Sequence, residues 1–352
     1  NDAPSLWSVS QESVDPQGSD LLGMEDDKKM NSVYSKVDTR DDDDSGRSSW
    51  SEVSSSAFSS EMDLNEENKW PTSFRTQLTV LTARNFKEAR KRMLSLLNWV
   101  QTLALSLITG AVWFQIKRTE ENIFNMLGYK FFVITYWMLF SLFGALMSFP
   151  PEREVVYKER ISGAYRLSAY YISKMCGELS LVATLPTVFF AISYPMMGCS
   201  SFEGYIFMWL NLMLSTLVSQ SVGLFIGALC IDLQKAVTAS ALFSLSTMLF
   251  GGFYASELAP SLSWVPYTSI VHYAYQNMQI IHFQYGEPIR CAANNSAYES
   301  CRRENSTGFI SPEELIGEDA LPLWANTVIL FLYLVAFRLV GYYVLRFVRR
   351  PR

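Results

Sequence analysis

The side chains that could do chemistry are few, and they are spread oddly. There are two histidines, His272 and His282, ten apart in a segment rich in tyrosine. No HExxH, CxxC or GxxxxGK[ST] pattern occurs, so the chain carries none of the short signatures for zinc hydrolysis, dithiol redox work or phosphate cradling. "GALCID" at 227–232 ends in an aspartate but reads as the end of an apolar segment, not as a magnesium site. The dense polar feature lies elsewhere. "FPPEREVVYKERISGAYRLSAYY", residues 149–171, packs four basic and three acidic side chains between Glu152 and Arg166. Mixed charges at that density suit a contact surface better than a reaction centre.

The elements around that cluster are membrane-like. A bilayer core of about 30 Å needs roughly 20 apolar helical residues. Stretches 93–116, 131–151, 179–202, 204–231, 236–256, 258–286 and 320–337 contain no Asp, Glu, Lys or Arg. Residues 1–69 are different: 17 acidic against 6 basic side chains and many serines. Such a segment cannot bury enough apolar surface to offset its ordering entropy. It reads as a disordered acidic, Ser-rich linker. A chain that opens on Asn1 is expected to be the downstream part of a longer one. No basic-then-apolar stretch follows Asn1, so insertion is expected to rely on internal spans.

Charge distribution chooses between six and seven spans. Basic residues gather before the first apolar run, after the second (Arg153, Lys158, Arg160, Arg166, Lys174), after the fourth (Lys235) and in "RFVRRPR" at the end. Under the positive-inside rule both termini are cytoplasmic, which requires an even count. Run 258–286, with Pro260, Pro266 and many aromatics, reads as a segment that dips into the outer leaflet and returns. The following loop carries two glycosylation sequons, at Asn294 and Asn305. Cys291 and Cys301 flank the first, and a disulfide between them suits an oxidising lumen. The expected fold is an all-α membrane domain over 70–352. Its spans fall near 94–116, 124–149, 177–197, 205–231, 236–254 and 322–346, with an outer loop at 255–321. Lys130 is expected to snorkel to an interface. Arg338, deeper in the last span, either snorkels or pairs inside the bundle. Ser215, Ser219, Gly223 and Gly227 form a small-residue stripe, for packing within the chain or for dimerisation. Phe74, Leu78, Leu81, Asn85/Phe86 and Ala89 recur at helical spacing, so an amphipathic helix at the membrane surface is expected before the first span.

The charged stretch also carries a family resemblance. F-P-x-E-R, then K-E-R, then G-x-Y-R-L-S-x-Y resembles the link between the second and third spans of ABCG (White/Brown) half-transporters. "WPTSFRTQLTVLTARNFKEAR" resembles that family's connecting helix, "LITGAVWFQI" the end of its first span, and "GGFYASELAPSLSWVPYTSIVHYAYQ" its fifth span and re-entrant segment. The resemblance covers about 70–352 and identifies an ABC-2 type transmembrane domain. It implies a dimer of half-transporters in a membrane, the plasma membrane foremost. It also implies an ATP-binding cassette domain outside this stretch that binds ATP and Mg, and a lipid, sterol or other small amphipathic cargo. No cofactor within this chain and no nucleic-acid partner is implied. Glu152, Arg153, Lys158, Glu159 and Arg160 match the coupling segment, which is expected to form a short cytoplasmic helix of its own. Phe140 matches a substrate-stacking position. Leu245, Met248 and Leu249 are implied on the facing side of the cavity, with Phe253 and Tyr254 at the outer plug. Two other classes compete: a seven-helix receptor, and a passive channel independent of ATP.

Overall fold

The computed structural model describes residues 72–198, 201–230, 232–254, 260–292, 296–302, 308–317 and 320–348. All belong to one unit, Asn68–Arg352. The side chains at 149–151, 153, 154, 157 and 160 also lie outside the described set. The proposed linker 1–69 lies outside it too.

Ten α-helices form the described part: α1 Phe74–Met93, α2 Leu96–Val112, α3 Ile123–Ile161, α4 Leu167–Gly198, α5 Phe202–Leu229, α6 Leu233–Leu249, α7 Ile270–Gln284, α8 Glu299–Arg302, α9 Pro312–Ile316 and α10 Leu323–Tyr343. No β-strand occurs among the described residues; isolated bridges join Thr119 to Arg290 and Arg290 to Phe309. Four helical stretches are long and apolar enough to cross a membrane: Glu120–Ser148, Leu167–Gly198, Phe202–Leu229 and Leu323–Phe347. The helices at the expected first and fifth spans, α2 and α6, are 17 residues each. That is the short end of the spanning range.

The core is the contact of α3 with α5. Val133, Trp137 and Leu142 from α3 are closed off against Leu212, Val218 and Val222 from α5. Gly223 makes this approach possible, since a Cβ there would lie 2.3 Å from the Leu142 carbonyl oxygen. The small-residue stripe therefore serves packing within the chain at this point. Around that pair, α2 lies on α4, while α10 and α7 close the other side of α5. Asn277 Nδ2 donates to Asn211 Oδ1 at 3.1 Å and to Thr327 Oγ1 at 3.2 Å, tying α7 to α5 and α10.

Three expectations change. The amphipathic helix buries Gln77, Leu81, Asn85 and Ala89, a half-polar i,i+4 stripe, while Phe86 is exposed. That stripe faces α4, where Asn85 Nδ2 donates to Ser173 Oγ at 3.0 Å. A helix partner therefore covers that stripe. Lys130 does not snorkel: it is 1 % exposed. Finally, the coupling segment is no separate helix. α3 runs without interruption from the span through Pro150 and Pro151 to Ile161. It stops because Gly163 adopts φ +67, a left-handed conformation that favours glycine. The Ala164 N–H then bonds back to the Glu159 carbonyl at 3.2 Å, a Schellman-type ending.

Candidate functional site

Four helices meet in a compact set of charges. Glu152, near the end of α3, accepts from Lys174 Nζ, from Arg92 Nη1 at 3.3 Å and from the Tyr170 hydroxyl at 3.0 Å. Glu178, on α4, accepts from Arg92 Nη2 at 3.1 Å and from Gln220 Nε2 of α5 at 2.9 Å, and pairs with Lys174 at 3.3 Å. Two carboxylates and two cations balance, which is the condition for holding charges away from water. Burial works to raise the Glu152 carboxyl, but Lys174 and Arg92 outweigh it and hold it below the ordinary carboxylate range.

Arg92 sits here because of a designed break. α1 and α2 meet at 56°. Ser95 caps α2 by accepting from Asn98 N, and Asn98 Nδ2 donates back to the carbonyls of Arg92 and Met93. Each cap of this kind is worth about 1 kcal/mol. The chain is thus fixed where Arg92 must turn toward α3 and α4.

A second ionic contact lies further along α1. Arg84 forms a fork with Glu159, Nη1 to Oε1 at 2.8 Å and Nη2 to Oε2 at 3.2 Å, and the Tyr165 hydroxyl donates to Glu159 Oε2 at 2.6 Å. Burial works to raise Glu159, but the Arg84 and Tyr165 hydrogen bonds prevail and lower it. Tyr165 is pushed up by burial and by that carboxylate. The Gln77 side chain accepts from the Arg166 N–H at 3.1 Å, fixing the turn after Gly163 to α1. Lys158 is exposed. The side chains of Arg153 and Arg160 lie outside the described residues.

Beside this ionic set is a groove of about 520 Å³ bounded by α2, α3 and α4. Phe140, Phe143, Met147, Leu181 and Pro186 give it an apolar wall; Arg92, Asn98 and Gln101 give it a polar edge. Phe140 is held by Trp137, edge-on at 5.3 Å, and Tyr136, stacked at 6.2 Å. Arg92 belongs to both groove and ionic set. Leu245, Met248 and Leu249 do not border this groove: Leu245 and Leu249 are at least half exposed on α6, and Met248 packs on the core. Phe253 stacks on Phe131 at 4.9 Å and on Phe124 at 5.3 Å, with Tyr254 edge-on to Phe131 at 5.3 Å. The expected plug pair is thus an aromatic cluster on the first turns of α3, apart from Phe140.

Cys291 and Cys301 form a disulfide. Asn294 and Asn305 lie outside the described residues. Glu120 accepts from Ala292 N, Ser296 Oγ and Ala297 N, anchoring the disulfide loop to the start of α3. Arg338 donates from Nε to Ser221 Oγ at 3.0 Å, so it has a partner inside the bundle. No cluster of three or more His, Cys, Asp or Glu suited to a metal exists among the described residues. Sequence reasoning passed over Glu178 and its pairing with Lys174. The signal was there: a Lys/Glu pair at i,i+4 at the edge of a charge-free run, with Gln220 in an otherwise apolar helix.

Comparison with known proteins agrees with this architecture. The ABC-2 type transporter family matches residues 76–283. ABC transporter G family member 21 of Arabidopsis thaliana is 35% identical over 227 residues, 64% of this chain and 34% of its own length. Member 25 from the same plant is 30% identical over 276 residues, 77% of this chain and 41% of its own. The broad substrate specificity ATP-binding cassette transporter ABCG2 of Bos taurus is 29% identical over 294 residues, 81% of this chain and 44% of its own. The chain thus spans well under half the length of these curated relatives. It belongs to the ABC-2 type transporter family of integral membrane proteins. Within it, the chain is the transmembrane domain of an ABCG half-transporter.

Proposed function

We propose that this domain is the membrane part of an ATP-driven exporter of lipids, sterols or other small amphipathic compounds. It works as a dimer of half-transporters powered by ATP-binding cassette domains that hold ATP and Mg. The observation that carries the reading is Arg92, whose guanidinium edges the apolar groove and pairs with both the buried Glu178 and the partly buried Glu152. A motor domain docked on the charged end of α3 would act on Glu152 and Glu159, and Arg92 links that end to the groove.

The domain crosses the membrane six times, by α2, α3, α4, α5, α6 and α10, with α7 as the re-entrant segment. Both termini are cytoplasmic, the plasma membrane is its site, and loop 255–321 faces outward. The Cys291–Cys301 disulfide favours an oxidising side for that loop, where Asn294 and Asn305 would be glycosylated. Glu152, Arg153, Lys158, Glu159 and Arg160 form the coupling surface. Phe140 contacts cargo, Leu245, Met248 and Leu249 complete the cavity across the dimer, and Phe253 with Tyr254 closes the exit.

The test is vesicle transport by the full-length protein with a lipid and sterol panel, with and without ATP. ATP-dependent accumulation, lost in a Phe140→Ala/Phe253→Ala double variant, is expected. Flux independent of ATP would point to the channel reading, and glycosidase-resistant Asn294 and Asn305 would count against the topology.

A further inference from the structure

Arg338 lies on α10, in the spanning stretch Leu323–Phe347. That stretch is the least covered of the four: 22% of its apolar window is buried, against 44% or more in the others. Phe331, Leu332, Val335 and Leu339 stand exposed along it, so bilayer lipid is what lies against this helix. Arg338 interrupts that face. It is half-buried, and its Nε donates to Ser221 Oγ at 3.0 Å. Its own carbonyl accepts from the Tyr171 hydroxyl at 2.8 Å. Gly341 leaves the room for this, since a Cβ there would stand 2.9 Å from that hydroxyl oxygen. These anchors fix the depth of the guanidinium. Ser221 follows Gln220, which holds Glu178, and Tyr171 lies about one turn before Lys174. Arg338 therefore shares a layer with the four-helix ionic set.

The helices packed against it supply no counter-charge. α10 packs on α5 and α7. α7 contains no acidic residue, and the single one of α5, Glu203, is in its first turn, at the opposite end from Ser221. Glu178 of α4 is already held by Arg92, Lys174 and Gln220. No ion pair among the described residues includes Arg338, and its Nη1 and Nη2 make no hydrogen bond there. A guanidinium presents a planar fork that matches a phosphate, and such paired, charge-assisted bonds are the strong ones. A basic side chain set between spanning helices at head-group depth suits an anionic lipid head.

We propose that Arg338, aimed by Ser221, binds the phosphate of an anionic phospholipid between α10 and α5, in the leaflet at the charged end of α3. The acyl chains run along Val335, Leu332 and Phe331 toward the middle of the membrane. Arg346, exposed about two turns further along the same helix, meets the polar head. This lipid is a resident ligand and not cargo, since none of these residues borders the groove of α2, α3 and α4. The site rests on the membrane-domain assignment and not on the exporter reading.

Thermal unfolding of the full-length protein in detergent micelles tests the site without ATP or transport. The protein is titrated with phosphatidylglycerol, phosphatidylcholine or sodium phosphate at one ionic strength. Phosphatidylglycerol is expected to raise Tm saturably. Phosphatidylcholine, whose phosphate already faces its own choline, should need about tenfold more for the half-maximal shift, and inorganic phosphate should give none. Arg338→Gln keeps a donor for Ser221 but loses the charge, and should also need about tenfold more phosphatidylglycerol. Should that variant fail to fold, Ser221→Ala decides: with the guanidinium no longer aimed, the half-maximal shift should need roughly fivefold more lipid. Equal response to the two lipids, a rise with inorganic phosphate alone, or a titration of the variant that folds matching wild type overturns the site.

Discussion

Lys174 and Glu178 lie one turn apart on α4, pair at 3.3 Å and are each 3 % exposed on their side chains. Each also holds a partner from another helix, Glu152 for Lys174 and Arg92 for Glu178. Removing one member of such a set leaves a charge buried and unanswered, at about 3–5 kcal/mol. Lys174→Met and Glu178→Gln should each lose roughly that much, read as lowered Tm in detergent. The double variant leaves Arg92 and Glu152 as a balanced pair and should recover part of the loss. Single variants as stable as wild type would remove the ionic set as a structural element.

The Arg84–Glu159 fork has the opposite character. With Arg84 43% exposed, the pair contributes only about 0–1 kcal/mol to stability. Glu159→Arg or Arg84→Glu should leave insertion and Tm nearly unchanged while separating ATP hydrolysis from transport. Exchanging both charges should restore coupling. Transport per ATP in reconstituted vesicles is the measurement, and normal coupling in both single reversals would end the assignment.

Glu159 also sets a pH dependence. Its native pKa lies below the ordinary 4.5, because Arg84 and Tyr165 outweigh burial. A depressed carboxyl stabilises in full above its unfolded value and loses that contribution as pH falls through the native one. The difference in Tm between wild type and Glu159→Gln should therefore be flat above about pH 5 and shrink below about 4.5. Glu152 acts in the same direction. A difference that grows on acidification would contradict the pairing.

Phe140 and Leu245 separate two forms of the proposed cargo site. Truncating Phe140 removes an aromatic face worth roughly 1.5–3 kcal/mol when covered, so cargo-stimulated ATPase should need about tenfold or more cargo. Leu245→Ala changes this only if a second copy brings α6 to the cavity. An unaltered half-saturation in Phe140→Ala would move the site off this groove.

Much of the fold was legible because long charge-free runs and flanking basic residues follow from the bilayer itself. α3, α4, α5 and α10 lie where those runs lie. Boundaries were less legible. Charge density suggested a break after Phe149, yet a proline pair alone does not end a helix whose flanks still favour it, and the stop comes at Gly163. Lys130 was misread because span position says nothing of which neighbour covers a side chain; Phe283 is 153 residues away. The ionic set was half legible. Glu152 was marked by its motif, but Arg92, Lys174 and Glu178 meet it only through tertiary packing.

The continuity of α3 has a mechanical consequence. At about 1.5 Å per residue, its 39 residues make a rod of roughly 58 Å. One end carries Glu159 and the other abuts Glu120, which grips the disulfide loop. Phe140 lies between them. Pro150 and Pro151 supply no backbone N–H, so the shaft lacks two of its ladder hydrogen bonds there. In the proposed coupling, a push at the charged end would reach the groove and the loop beyond it along one helix.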